Sequence, residues 1–396
     1  MRSQLIFLAC VALVYGRDGP CSESRTRAIL KRSTYDFSVK LLDRVSQETD
    51  AHFVYSPLST WIQLASLAEG AKEDTLNEIW NVTRHHNRYC LKKNWKRIIN
   101  EMDDDLKTVY KRKSVLVIDK LLNVKRSFIR NVQRLNSFKV LLYNFNNKQR
   151  AADKVNDYIE KATDGVITDI LYPDDFRATV ALLAGGVYFK NAWKMSFNPV
   201  YTYPKPFYSI YGNATVNMMK QIGYFNITNI PIIHTKVLEI PCEKDRISML
   251  VFLPESPYAM DLFYSLHKIQ LITVYKLFQR NGPKLVNVQL PRFNMTTDID
   301  SLPELIHDMG AKKLFQPYRA EFKGISDYRV YASLITQIAN IEVSEYGVKA
   351  EVALENMVSD NNPVDFIVNK PFAFMLVDKV NDLILFAGAY SKPSLF

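Results

Sequence analysis

The chain is poor in the residues from which metal and catalytic centres are usually built. Only 6 His and 4 Cys occur among 396 residues. No two Cys form a CxxC pair and the His are scattered, which excludes a structural zinc site of ordinary spacing. No GxSxG elbow, Walker A loop, HExxH or GxGxxG is present, so the chemistries that need those spacings have no support. Ser, His and Asp occur, but nothing local assembles them into a triad. The neighbours His85 and His86 read as a solvated loop feature rather than a ligand pair. Gly and Pro are modest, at 13 and 17, and charged residues make up 23%, which excludes collagen-like and disordered classes. Beyond the N-terminus no run reaches the ~18 apolar residues that a spanning helix needs. No metal and no cofactor is expected, nor an enzyme.

What is present points outward from the cell. MRSQLIFLACVALVYGRDGP carries Arg2, an apolar run from Leu5 to Val14 and the small Gly16 before charged residues. This is the pattern of a secretory signal peptide, residues 1–16, cut after Gly16. Cys10 leaves with it. Cys21, Cys90 and Cys242 remain, so at most one internal disulfide forms and one thiol stays free. Asn-x-Ser/Thr sequons stand at Asn81, Asn213, Asn226 and Asn294, fair glycan acceptors where exposed. The formal net charge of +10 is uneven. Cations crowd between Arg84 and Lys113, among them Lys92, Lys93, Lys96 and Arg97, diluted by Glu101 and Asp103 to Asp105. This is either a solvated helical face or a site for an anionic polysaccharide. An extracellular address disfavours nucleic acid, no membrane contact is expected, and a monomer is.

No linker, low-complexity tract or repeat divides the chain, so residues 34–394 read as one domain after a signal peptide and an N-terminal tail at 17–33. The first third looks helical. FSVKLLDRV puts Phe37, Leu41, Leu42 and Val45 on one face, and DTLNEIWNV joins Leu76, Ile79 and Trp80. From Thr179 onward short β-rich runs dominate: TVALLAGGVYF, KVLEIP, ISMLVFLP, KLVNVQLPRF, LITQIANIEV, FAFMLV and LILFAGAY. Helices followed by strands give an α+β class, with sheets packed on a helical layer.

Several stretches, in order, resemble one family. FVYSPLS at 53–59 and GAKEDTLNEI at 70–79 are followed by VNDYIEKATDGVITDIL at 155–171 and VYFKNAWKMSF at 187–197. MMKQIGYF, VLEIPCEKDRISMLVFLP, LPRF, MGAKKLF, IEVSEYG and NKPFAFMLVDKVNDLILFAGAYSKP complete the series. Each match is weak alone and the ordered set is specific: the chain resembles a serpin, with the flavour of a secreted, insect-type member. The resemblance implies a helical layer packed on three β-sheets and an exposed reactive-centre loop at about 347–368. It also implies inhibition of serine, sometimes cysteine, proteases by a suicide mechanism, in which the cut loop inserts as a new strand. Residue by residue, Glu345 and Arg292 match an ion pair at the top of the main sheet, with Trp193 beside it (the breach). Ser56 and Ser59 match a polar cluster beneath the opening strands (the shutter). There Gly185 stands where the family has Asn, and Gln337 where it has His.

The loop sequence GVKAEVALENMVSDNNP can be tested against insertion. With Gly347 as pivot, Val348, Ala350, Val352 and Leu354 point inward, and Lys349, Glu351, Ala353 and Glu355 point outward. Burying two Val and one Leu is worth roughly 5 to 8 kcal/mol, whereas the opposite register buries three charges at several kcal/mol apiece. A surface helix is the competing reading. It leaves no clean apolar stripe and sets Glu351 against Glu355 at i,i+4. Val352 and Leu354 are bulky for such a strand, and overpacking slows insertion. The spacing usual in the family that the chain resembles, counted forward from Glu345, places the scissile bond after Asn361, and counted back from Asn369 places it after Asp360. Neither is basic, so a trypsin-like target loses its anchor. Cleavage nearer Met357 or Val358 suits a chymotrypsin- or elastase-like enzyme, and Asp360 a cysteine protease. A non-inhibitory carrier, storage or binding protein is the alternative function.

Overall fold

Ser22 accepts a hydrogen bond from the Arg25 amide and opens a long first helix, α1 (Glu23–Glu48). Phe37, Leu41, Leu42 and Val45 are buried on it, as their spacing predicts. The helix also reaches back through residues 23–33, a stretch expected as a tail, because Thr26, Leu30 and Ser33 extend the buried stripe. The computed structural model describes residues 22–85, 89–190, 193–242, 245–256, 262–266, 269–346, 362–393 and 396. The expected signal peptide, Cys21, His86, Gly347, Val348, Ala350, Val352, Leu354, Asp360 and Asn361 lie outside the described residues.

A short strand, β1 (Phe53–Tyr55), leads into α2 (Pro57–Ala68), whose Pro at the first turn removes one of the amides that a helix start leaves unpaired. Every side chain of α2 from Pro57 to Leu67 is buried, which marks a helix running through the interior between sheets. Helices α3 (Glu73–Thr83) and α4 (Tyr89–Leu106) follow. Then come β2 (Tyr110–Asp119), α5 (Arg126–Val132), β3 (Phe138–Tyr143), α6 (Lys148–Ala162) and β4 (Ala181–Lys190). The C-terminal half is mostly strand: β5 (Tyr203–Phe207), β6 (Ala214–Ile230), β7 (Thr235–Pro241) and β8 (Ile247–Pro254). Helices α7 (Leu262–Ser265) and α8 (Leu271–Asn281) precede β9 (Pro283–Pro291) and β10 (Phe293–Asp298). After α9 (Leu302–Asp308) come β11 (Leu334–Val343), β12 (Val364–Ile367), β13 (Phe372–Asp378) and β14 (Leu383–Tyr390).

Among the described residues these strands form two hydrogen-bonded sheets. One has five strands in the order β10-β11-β4-β2-β3. The other has nine, β1-β14-β13-β8-β7-β6-β9-β12, with β5 on β6. The three expected sheets reduce to two ladders because β6 is 17 residues long. Its first part pairs with β5 and β9 and its last turns to β7, so two layers share one strand.

Two cores flank the five-stranded sheet. Val115, Val117, Leu182, Ala184 and Ile338 face Val155 and Ile159 of α6. On the opposite face Leu116, Leu183, Val187, Ile335 and Ile341 join the main core with Leu58, Trp61 and Ile62 of α2. The period of two therefore fixes which residues of β4 and β11 look down on α2: Gly185 and Gln337 share the parity of Leu183 and Ile335.

Candidate functional site at the seam of the five-stranded sheet

In this sheet β11 and β4 run parallel and pair directly, from Leu334 opposite Leu182 to Glu342 opposite Lys190. Both outer neighbours of this pair are antiparallel to it, β10 to β11 and β2 to β4. A strand laid between β4 and β11 would be antiparallel to both, the arrangement a chain reaches by turning back after β11. The chain leaves β11 at Val343 and re-enters the structure at β12, on the edge of the other sheet. The loop between them is thus tied at one end to the seam and at the other to a different sheet.

The departure point is held by five contacts. The fully buried Trp193 indole donates to the Ser344 carbonyl at 2.8 Å, and its amide donates to the Tyr346 carbonyl at 3.1 Å. The Phe197 amide donates to the Glu345 carbonyl at 3.1 Å, and its ring packs edge-on against Trp193. The Glu345 carboxylate accepts from the Thr202 hydroxyl at 2.7 Å and lies 3.7 Å from Arg292. The expected Glu345–Arg292 pair is therefore formed, but loosely. Arg292 is drawn the other way, donating through Nε to the Phe396 carbonyl at 2.8 Å with its guanidinium over the Phe396 ring. Thr202 and Phe396 had no sequence signal, because each meets Glu345 or Arg292 only through the fold.

Beneath the middle of the seam lies a buried polar cluster. Gln337 and Gly185 are direct register partners, and Ser114 of β2 faces Gly185 from the other side. The Gln337 amide group accepts from the Ser56 amide at 2.9 Å and donates to the Ser56 carbonyl and the Thr60 hydroxyl, each at 3.1 Å. Ser56 Oγ donates to the Leu385 carbonyl at 2.7 Å. The Ser59 and Ser114 hydroxyls approach to 3.5 Å. Tyr55 bonds the Thr60 hydroxyl, and burial pushes its phenol well above the ordinary tyrosine range. Gln337 thus links α2, β1 and β11 in one network. The structure brings together all four sequence-predicted residues, Ser56, Ser59, Gly185 and Gln337.

A family model described as "Serpin (serine protease inhibitor)" matches residues 32–393. The chain belongs to the serpin family. It is 27% identical to plasminogen activator inhibitor 1 of Bos taurus, with 99% of this chain and 100% of that protein covered. Glia-derived nexin of Rattus norvegicus is 28% identical over 88% of this chain and 89% of its own. Among solved structures, native protease nexin-1 with heparin superposes with a TM-score of 0.81, at 24% identity over 95% of this chain and 100% of that one. The likeness to that structure shows the fold.

The remaining sequence expectations fall differently in this serpin. His85 is not a solvated loop residue: it is buried, stacked on Trp61 and edge-on to Trp95. Lys96 is not part of a basic face. Its ammonium is buried against Glu69 at 2.9 Å and donates to the Asn131 carbonyl at 2.9 Å, and burial holds it below the ordinary lysine range. Arg97 is exposed but shared between Glu23 and Glu101, and Lys92 is exposed; the Lys93 side chain lies outside the described residues. Asn81, Asn213 and Asn294 are exposed, whereas Asn226 is partly buried and donates to the buried Glu239 at 2.8 Å. Cys242 carries a free, buried thiol, pushed up to about 12 by burial. Among the described residues no group of His, Cys, Asp and Glu is placed to hold a metal, and no helix is long and apolar enough to cross a membrane.

Proposed function

We propose that this serpin is an extracellular inhibitor of serine-type endopeptidases that acts as a suicide substrate. The observation that carries the reading is the closed parallel seam between β4 and β11, with the loop departing from the end of β11. The protease serine attacks the carbonyl carbon of Asp360 or Asn361. The following peptide bond breaks, its nitrogen takes the proton, and the loop stays esterified to the enzyme. The freed segment then enters the seam with Val348, Ala350, Val352 and Leu354 toward α2, and the enzyme is carried along. With no basic residue at the scissile candidates, the target is not trypsin-like. Residues 1–16 act as the secretory leader, and Asn81, Asn213 and Asn294 are the sequons able to carry glycans, since the Asn226 amide is engaged.

The test is to incubate the mature protein with a panel of serine and cysteine proteases and run a denaturing gel. A denaturant-stable complex of the two chains is expected with a serine-type member of the panel that is not trypsin-like. Loop nicking with no complex from any member sinks the inhibitory reading. That outcome supports the carrier or binding function, which the bulk of Val352 and Leu354 favours.

An anionic polysaccharide is the second partner we propose, on Lys92, Arg97 and Arg134. These line a shallow cavity of about 280 Å³ together with Glu101 and Asp104. Retention on heparin-agarose is expected to weaken in Lys92→Ala and Arg134→Ala; unchanged elution in both removes this partner.

A further inference from the structure

The polar cluster beneath the seam contains one amide that the closed sheet does not use. Gln63, on α2, is fully buried, and neither its Nε2 nor its Oε1 has a hydrogen-bond partner among the described residues. Its position explains the glycine across from it. A Cβ on Gly185 would lie 2.8 Å from Gln63 Nε2, 3.3 Å from Ser114 Oγ and 3.5 Å from Ser59 Oγ. The Gln63 carboxamide therefore fills the space that Gly185 leaves open, on the α2 side of the strand that must part from β11. A buried amide with two donors and an acceptor left idle raises the energy of the state that contains it.

We propose that Gln63 is a positioning residue for strand insertion, supplying from the helix the amide that Gly185 cannot supply from the strand. The inference rests on the insertion reading given above. In the closed sheet the amide groups and carbonyls of β4 and β11 satisfy one another across the seam. When the strands separate to admit a third between them, those groups lose their partners at the level of Gly185 and Gln337 before the new strand arrives. Gln337 is already committed to Ser56 and Thr60. Gln63 is committed to nothing, lies directly under the opening, and can donate and accept at once. It destabilises the closed sheet and stabilises the opening one, and both effects hasten insertion.

The experiment uses the full-length mature protein and a synthetic peptide of residues 347–358 from its own loop, with uptake followed by native gel and by melting temperature. Gln63→Leu keeps the side chain's bulk and removes the amide. The uncut variant is expected to melt higher than wild type, and to take up peptide about tenfold more slowly, the rate equivalent of one hydrogen bond of ordinary net worth. Gln63→Ala is expected to slow uptake as well. Adding Gly185→Asn to it, which moves the amide from helix to strand, is expected to restore uptake to the wild-type rate. A Gln63→Leu protein that melts higher but takes up peptide at the wild-type rate overturns the positioning role, as does a double variant no faster than Gln63→Ala alone. A wild-type protein that takes up no peptide overturns the insertion reading itself, and this proposal with it.

Discussion

At the scale of single residues, the sites that matter are those where a polar group is at least half-buried with a specific partner. His52 is one. Its Nδ1 accepts from the Ser391 and Lys392 amides at 3.3 and 3.1 Å, which only a neutral ring with its proton on Nε2 can do. Burial and then the Lys392 charge hold the imidazole below its ordinary value of 6.5. Below that value the unfolded chain binds a proton that the folded chain resists. The stabilisation is therefore complete above about pH 6.5 and is lost as pH falls through the lowered folded value. The melting temperature is expected to drop between pH 7.5 and pH 5, and to drop less in His52→Gln; equal slopes in both proteins contradict this assignment. Thr202 is another such residue. Thr202→Val removes the 2.7 Å bond to Glu345, a loss of about 1 kcal/mol. A melting temperature lower by roughly 2 °C and faster uptake of the loop peptide are expected.

How much of this was legible depends on whether a residue's role is local. Trp193, Glu345, Ser56 and Gln337 sit within ordered motifs, so a resemblance locates them and the structure joins them. Gln63 is one of several polar residues in α2, with Ser59, Thr60 and Ser66, and nothing in the sequence singles it out; Thr202 stands in a stretch with no pattern. Each acquires meaning only when distant segments meet. His85 misled because two adjacent His suggest solvent, whereas the Trp61 and Trp95 rings enclose it.

At the scale of elements, the same rule separates the strands that were read from those that were not. TVALLAGGVYF and LITQIANIEV read as β-rich runs, and the strands they form, β4 and β11, are buried on both faces along most of their length. YKRKSVLVID of β2 was absorbed into a basic cluster, because its first inward positions are Tyr110, Arg112 and Ser114 rather than aliphatic residues. The Arg112 side chain is in fact fully buried and paired with Asp103 at 2.6 Å. The opening of α1 was missed for a similar reason: its buried face includes Thr26 and Ser33, which no hydropathy pattern marks. Lys96 makes the strongest prediction at this scale, since it ties α4 to Glu69 after α2 and to Asn131 on α5. Lys96→Ala leaves Glu69 buried without its cation and is expected to destabilise by about 3 to 5 kcal/mol. Lys96→Met with Glu69→Leu is expected to recover most of that loss in urea denaturation. A single variant of wild-type stability would show that the pair is dispensable.

At the scale of the whole molecule, the sheet order is what the proposed insertion rests on. In the five-stranded sheet the parallel pair β11–β4 has antiparallel neighbours on both sides, so one additional antiparallel strand between them would make the pairing alternate from β10 to β2, while β2 and β3 stay parallel. In the proposed mechanism the strand comes from the segment between β11 and β12, whose far end is held in the other sheet, so that it enters only after it is cut. Gly185 and Gly186 thin β4 at the middle of the seam, one toward Gln63 and the other toward Ile159 of α6, where an added Cβ would lie 2.6 Å from Cγ2. On the proposed insertion, burial of Val348, Val352 and Leu354 would contribute roughly 5 to 8 kcal/mol. The measurement that tests this account most directly is the melting temperature before and after the loop is severed by a non-target protease between residues 355 and 361. A rise of roughly 10 °C or more is predicted, as the freed strand fills the seam between β4 and β11. A severed protein that melts at or below the temperature of the intact one contradicts it.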